Sequence, residues 1–204
     1  YADAGIPQIS PSATNPTYTQ QGFKTAMRVM ANDIQQGKVL GDFAVKKLGA
    51  KTVAIIDDRT AYGQGLADEV EKAAKAGGAK IVAREFTKND ATDFKAILTK
   101  IKGKKPDAVF YGGMDAQAGP MAKQMKQLGI KARFMSGDGA CTPEFMKLAG
   151  DAAEGFYCTQ AGLPLERMTD KTFGARYKKR FNTEVQIYSP YSYDAVGVLV
   201  DAMK

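Results

Sequence analysis

The chain contains no histidine among its 204 residues, and that one absence removes several kinds of chemistry. A Ser-His-Asp triad, a Cys-His pair, an HExxH zinc helix and any imidazole metal ligand are all excluded. Cysteine is nearly as scarce. Cys141 and Cys158 are too few for a four-thiolate zinc site, and their spacing is not CxxC. They are either two buried thiols or a bridge, and a bridge would close a loop for which chain entropy gives roughly 3 kcal/mol. Long apolar runs are also missing. None approaches the roughly 18 residues of a membrane span, so direct membrane insertion is not expected. The first residues lack an initiating Met, a basic segment and the apolar segment of a targeting signal, so the chain reads as an excised piece. No metal site, cofactor or catalytic group is indicated.

What is present is the composition of a globular α/β protein, 44% hydrophobic and 25% charged, long enough for a substantial core. The net charge of +7 and the pI near 9.3 raise the question of nucleic acid. The lysines, however, are spread over nearly every helical segment, opposite the apolar positions. The densest cluster, Lys102 to Lys105, falls at a helix end where cations suit the dipole. A solvated face accounts for the charge, and no nucleic-acid-binding pattern accompanies it.

A repeat organises the middle of the chain. Gly49, Gly77, Gly103 and Gly129 recur every 26 to 28 residues. Each closes a segment with helical apolar spacing and precedes an extended apolar run. The runs are Thr52 to Asp57, Lys80 to Phe86, Asp107 to Tyr111 and Arg133 to Met135. Helix and strand therefore alternate, which predicts a Rossmann-like parallel sheet with helices on both faces. The clearest helix is 92–102, where Phe94, Ile97, Leu98 and Ile101 follow one face. Upstream, 6–10 and 23–30 read as strands, and Asp33 opens a helix with Leu40, Phe43, Ala44 and Leu48 on one side. Downstream come a short helix over 142–148, a strand over 155–159 and two helices, the last with Ser189 as N-cap and Pro190 at N1.

In such a sheet, ligands lie beyond the carboxyl ends of the strands. The stretch from Asp107 to Gly119 is the central candidate: a buried strand breaks at Gly112-Gly113 and feeds a helix, with Tyr111, Met114 and Asp115 at the break. Three other loops share that end. Ser12 and Thr14 follow the first strand, where hydroxyls can bind a carboxylate or simply close a turn. Asp138, between two glycines after the strand at 133–135, can receive a cation or make an Asp-Gly turn. Gly63-Gln-Gly65 has a superficial likeness to a dinucleotide fingerprint, but it stands six residues past Asp57, with Asp68 in place of the third glycine. Asp57 and Asp58 have the form of a phosphoacceptor acidic pair, and an ordinary exposed turn explains them at least as well.

Taken in order, Gly5-Ile-Pro-Gln-Ile-Ser-Pro-Ser-Ala-Thr14, Ile55-Ile-Asp-Asp-Arg-Thr-Ala-Tyr-Gly-Gln-Gly65, Tyr111-Gly-Gly113 and Gly137-Asp-Gly139 with Ala152-Ala-Glu-Gly155 resemble one family. It is the type I periplasmic binding proteins, in particular the substrate-binding proteins of branched-chain amino-acid ABC transporters. The likeness covers nearly the whole chain. It implies two α/β lobes that close on a ligand like a clamshell, with residues 1–32 a partial first lobe, 33–161 the second lobe and 162–204 a return to the first. It also implies a non-enzymatic periplasmic protein whose partners are an aliphatic, branched amino acid and a membrane permease. By resemblance, Ser12 and Thr14 hold the ligand α-carboxylate, Asp138 pairs with the α-ammonium, Tyr62 covers the ligand, and Tyr111 and Met114 border it. An oxidising periplasm favours a Cys141–Cys158 bridge. Two departures stand out: Asp138 is where well-known members carry Glu, and Met114 is where some carry Tyr. The same fold serves amides, urea derivatives, aromatic acids and sensor domains. A nucleotide-dependent enzyme built on Gly63 is the rival of another class.

Overall fold

The computed structural model describes residues 1–204. In chain order the elements begin with β1 (Gln8–Ser10), β2 (Ala26–Arg28), α1 (Asp33–Lys46), β3 (Thr52–Asp57), α2 (Ala61–Ala76), β4 (Lys80–Phe86) and α3 (Lys95–Lys104). They continue with β5 (Ala108–Gly112), α4 (Asp115–Gln127), β6 (Arg133–Ser136), α5 (Pro143–Ala149), β7 (Tyr157–Cys158), α6 (Phe173–Phe181) and α7 (Ser189–Ala202). The chain separates into two compact units, one formed by Tyr1–Asn32 with Gln160–Lys204 and the other by Asp33–Thr159.

The Asp33–Thr159 unit is a five-stranded parallel sheet in the order β4-β3-β5-β6-β7. Its central strands β3, β5 and β6 are buried on both faces, which is why they read as continuous apolar runs, while the edge strand β4 is half-buried and carries Arg84 and Glu85. Val53, Ile55, Ala108 and Phe110 face a layer made with Leu40 of α1 and Leu66 and Val70 of α2. Ala54, Ile56, Val109 and Tyr111 face the opposite layer, with Phe94 at the cap of α3, Leu98 and Ile101 along it and Met121 of α4. Register aligns the carboxyl ends, pairing Asp57 with Gly112, Tyr111 with Ser136 and Ser136 with Cys158. The strand order reverses between β3 and β5, so the loops after them flank a topological switch point.

The other unit pairs β1 with β2 in parallel, Gln8 opposite Ala26 and Ser10 opposite Arg28. On its helices, Phe173, Tyr177, Phe181 and Tyr193 make a chain of ring contacts.

Some local expectations change. Gly103 lies inside α3, and the left-handed position that ends the helix belongs to Lys105, with φ 49°. The extended segment expected over 23–30 shortens to Ala26–Arg28. Ser189 is the first residue of α7, not its cap; Tyr188 stands at the cap, and the Ser189 hydroxyl accepts from the Gln186 N–H at 3.1 Å.

Asp107 clips β5 to β3. Its Oδ2 accepts from the Lys51 and Thr52 N–H groups, each at 2.9 Å, and from the Thr52 hydroxyl at 2.8 Å. The Thr52 hydroxyl, then the Thr52 and Lys51 amides, hold its carboxyl below the ordinary value of 3.8. A depressed folded-state pKa gives stability that is present above the unfolded value, about 3.9, and is lost as pH falls through the folded value. Asp107→Asn is therefore expected to flatten the acid side of a urea-midpoint profile as pH falls below the ordinary carboxylate value, with the midpoint at pH 7 lowered.

Candidate ligand-binding site

Asp138 sits in the 3-10 turn that follows β6, at the carboxyl end of the sheet, and is 1% exposed. A carboxylate this deeply placed needs donors, since burying it without hydrogen bonds is costly. Tyr62, in the first turn of α2, donates its hydroxyl to Asp138 Oδ1 at 2.8 Å, and Gln36 of α1 donates its amide N–H to the same oxygen at 2.9 Å. The Tyr62 hydroxyl also accepts from the Gly139 N–H at 2.9 Å, so one phenol holds both the acid and its turn. Gln36 donates as well to Asp33 Oδ1 at 3.0 Å and accepts at its Oε1 from the Thr159 hydroxyl at 2.8 Å.

The flanking glycines let other side chains lie on this turn. A Cβ at Gly137 would stand 2.3 Å from Leu66 Cδ2 and 2.7 Å from the Tyr62 hydroxyl, and one at Gly139 would stand 2.8 Å from Met114 Sδ. Met114, at the start of α4, is 45% exposed and lays its thioether against Gly139 of the turn that carries the acid. Cys141, next after the turn, is bridged to Cys158 at the end of β7, with Cα atoms 5.5 Å apart. The bridge fastens the loop that carries Asp138 to the neighbouring strand.

Tyr111 is placed differently. It is 0% exposed and its ring belongs to the core layer of Val109 and Met121. Its hydroxyl has no hydrogen-bond partner, and burial first, then the charges of Asp58 and Asp57, push its pKa above the ordinary 10.0. Asp115 accepts the Thr142 hydroxyl at 2.6 Å and joins α4 to the cap of α5.

Asp57 and Asp58 are buried, not an exposed turn. Asp58 Oδ1 accepts from the Thr60 N–H and hydroxyl, and Thr60 in turn caps α2 by accepting from the Gly63 N–H at 2.9 Å. Asp57 pairs with Arg84, which also reaches Asp68 at 2.7 Å and Glu71 at 3.3 Å. The amino end of α2 is thus already capped by a hydroxyl and flanked by carboxylates, an unfavourable seat for a phosphate. No group of three or more His, Cys, Asp or Glu side chains is placed to hold a metal ion.

In the other unit, the loop after β1 is organised by Arg28 of β2. Its guanidinium donates to the Ala13 and Asn15 carbonyls, each at 2.9 Å, to the Pro16 carbonyl at 3.2 Å and to the Thr19 hydroxyl at 2.9 Å. Ser10 Oγ accepts from the Ser12 and Ala13 N–H groups. Ser12 is exposed. Thr14 is 2% exposed, and its buried Oγ1 has no hydrogen-bond partner.

Arg28 and Gln36 were not singled out from sequence. The available signal for Gln36 was its place four residues before Leu40, on the apolar face of α1; for Arg28 it was a lone cation in Ala26-Met-Arg-Val-Met30 beside a turn-rich loop. Arg28→Ala removes four contacts to one loop, made by two guanidinium nitrogens, and is expected to cost about 2 kcal/mol in equilibrium unfolding. Arg28→Lys, which lacks the planar fork, is expected to restore only part of it.

The fold and this site together define a class: a parallel α/β protein with a buried, donor-held acid at the carboxyl end of its sheet and no helix long and apolar enough to cross a membrane. The chain belongs to the periplasmic binding protein family, whose pattern it matches over residues 1–204. It is 38% identical over 204 residues to the Leu/Ile/Val-binding protein homolog 1 of Brucella abortus, covering 100% of this chain and 55% of that protein. It is 32% identical, with the same coverage, to the leucine-, isoleucine-, valine-, threonine- and alanine-binding protein of Pseudomonas aeruginosa. Among solved structures, the leucine-binding protein LivK of Thermotoga maritima superposes with a TM-score of 0.92 at 30% identity, covering 99% of this chain and 58% of that one. The branched-chain amino-acid transporter substrate-binding protein LivJ of Streptococcus pneumoniae, in complex with isoleucine, superposes at 0.87 with 30% identity and the same coverage. The chain thus spans about half the length of the curated relatives it matches.

Proposed function

We propose that this chain is part of an extracytoplasmic solute-binding protein of an ABC importer, and that its ligand is an aliphatic, branched α-amino acid. The observation that carries the reading is the buried Asp138 carboxylate, oriented by Tyr62 and Gln36 beside the exposed Met114. It has the charge to pair with an α-ammonium, and such a contact strengthens as water is excluded. Thr14, buried with an unpartnered hydroxyl, supports a companion role for the Ser12–Thr14 loop toward the α-carboxylate. Tyr62 then acts through the acid as well as by covering the ligand, and Met114 supplies a soft apolar wall. Lobe closure, a periplasmic location, a permease partner and a non-enzymatic role complete the proposal. The names of the relatives, which specify leucine, isoleucine and valine and in one case also threonine and alanine, support the ligand class.

Thermal unfolding of the full natural chain that contains residues 1–204 tests it, with leucine, isoleucine, valine, aromatic acids, amides and nucleotides as additives. A ligand at about 100 times its dissociation constant adds roughly 2.7 kcal/mol to the native state. Stabilisation by the branched amino acids supports the proposal. Stabilisation only by an acid or amide without an α-ammonium retains the solute-binding role and removes the amino acid, and stabilisation only by a nucleotide removes both.

A further inference from the structure

We infer that Gln36 is the positioning residue for the acid that receives the ligand α-ammonium, an inference that rests on the amino-acid reading above. Gln36 is 2% exposed, on the inner face of α1, between the buried side chains of Asp33 and Asp138. One amide N–H goes to each carboxylate, and the amide oxygen accepts from Thr159. Both donors of the side chain are therefore used. The three contacts also fix which way round the amide lies. Turned over, it would aim its oxygen at two carboxylates.

The groups that Gln36 joins come from separate parts of the sheet's carboxyl end: the start of α1, the turn after β6 and the residue after β7. Asp138 is short, but rotation about its terminal torsion is broad unless something holds the carboxylate plane. Gln36 and Tyr62 do so, both on Oδ1, one from α1 and one from α2. These two helices are a firm base. A Cβ at Gly37 would lie 2.4 Å from Glu69 Cβ, and one at Gly41 the same distance from Ala73 Cβ, so α1 rests directly on α2. The Cys141–Cys158 bridge and the Thr159 hydroxyl close the arrangement from the side of β7.

Gln36 acts on the ligand only through Asp138, and Asp138 acts on the ammonium. Its loss is therefore selective: it weakens ligands that carry an α-amino group and spares otherwise matched ligands that do not. General support of the fold would weaken both alike.

The test is calorimetry, direct or by competition, on the full natural chain with leucine and with 2-hydroxy-4-methylpentanoate, which replaces the ammonium by a hydroxyl. Gln36→Met, similar in size without the amide, is expected to weaken leucine about 10- to 30-fold and the hydroxy acid less than about 3-fold. Thr159→Val leaves the donors to the carboxylates in place and removes only the anchor of the amide oxygen. It is expected to weaken leucine by about 3- to 5-fold with the same selectivity, and it decides the matter should Gln36→Met not fold. Equal losses for the two ligands, or no loss of leucine affinity, overturn the inference. Asp138→Asn separates the two levels of the account. If it preserves the preference for leucine over the hydroxy acid, another group reads the ammonium, and the assignment to Asp138 fails and the inference with it. If it abolishes that preference while the Gln36 and Thr159 variants keep it, the inference about Gln36 alone fails.

Discussion

Asp138→Asn is expected to lower leucine affinity by roughly a hundredfold or more, about 3 kcal/mol, with little change in the unfolding temperature of the unliganded protein. The size of the effect follows from removing one partner of a desolvated charge pair, which costs about 2 to 5 kcal/mol. The small effect on the free protein follows from geometry. An asparagine oxygen occupies the place of Oδ1 and still accepts the Tyr62 hydroxyl and the Gln36 amide, the contacts that hold the turn. Asp138→Ala removes those contacts as well and is expected to lower both affinity and stability, since the Tyr62 and Gln36 donors lose their acceptor in a buried place. Calorimetry with leucine and thermal unfolding without it separate the two variants. Equal unfolding losses in both would mean that the acid supports the turn by charge and not by hydrogen bonding.

The second large effect is expected away from the ligand, where α2 crosses the end of β5. A Cβ at Gly63 would stand 2.2 Å from Asp58 Oδ1 and 2.4 Å from the Gly112 carbonyl oxygen, and one at Gly112 would stand 2.2 Å from the Gly63 carbonyl oxygen. Backbone cannot swing away as the end of a side chain can. Gly63→Ala and Gly112→Ala are each expected to destabilise by about 3 kcal/mol or more, at or beyond the usual range for overpacking. Gly103→Ala is the contrast. That position is inside α3 and has nothing within 4 Å of the added carbon, so the change is expected to stabilise by about 0.5 to 1 kcal/mol. Urea midpoints of the three variants check both signs. The result also bears on the dinucleotide likeness, because it ties Gly63 to helix–strand contact rather than to room for a phosphate.

These cases show which features are legible in sequence. The alternation of helix and strand is readable because the central strands are buried on both faces and the helices on one, and composition records burial directly. Gly103 marked the right interval but not the right residue, since Lys105 takes up the left-handed turn despite its Cβ. Asp138 stood out because a glycine-flanked acid after a strand is a local pattern. Gln36 did not, because its meaning lies in a hydrogen bond to a residue 102 positions away. Arg28 escaped for the same reason, reaching carbonyls 12 to 15 positions back along the chain. Tyr111 shows the limit of placing a residue at a strand end. β5 is buried on both faces, so either register would place this side chain in a core layer, and only the residues past the strand end can leave it.

The central claim is that Asp138 receives the α-ammonium of an amino acid, and a crystal structure of the full natural chain grown with leucine tests it most directly. Leucine is expected with its nitrogen about 2.7 to 3.2 Å from an Asp138 carboxylate oxygen, the Tyr62 and Gln36 contacts intact. Leucine bound with its nitrogen on other groups, and Asp138 facing only Tyr62 and Gln36, would contradict it.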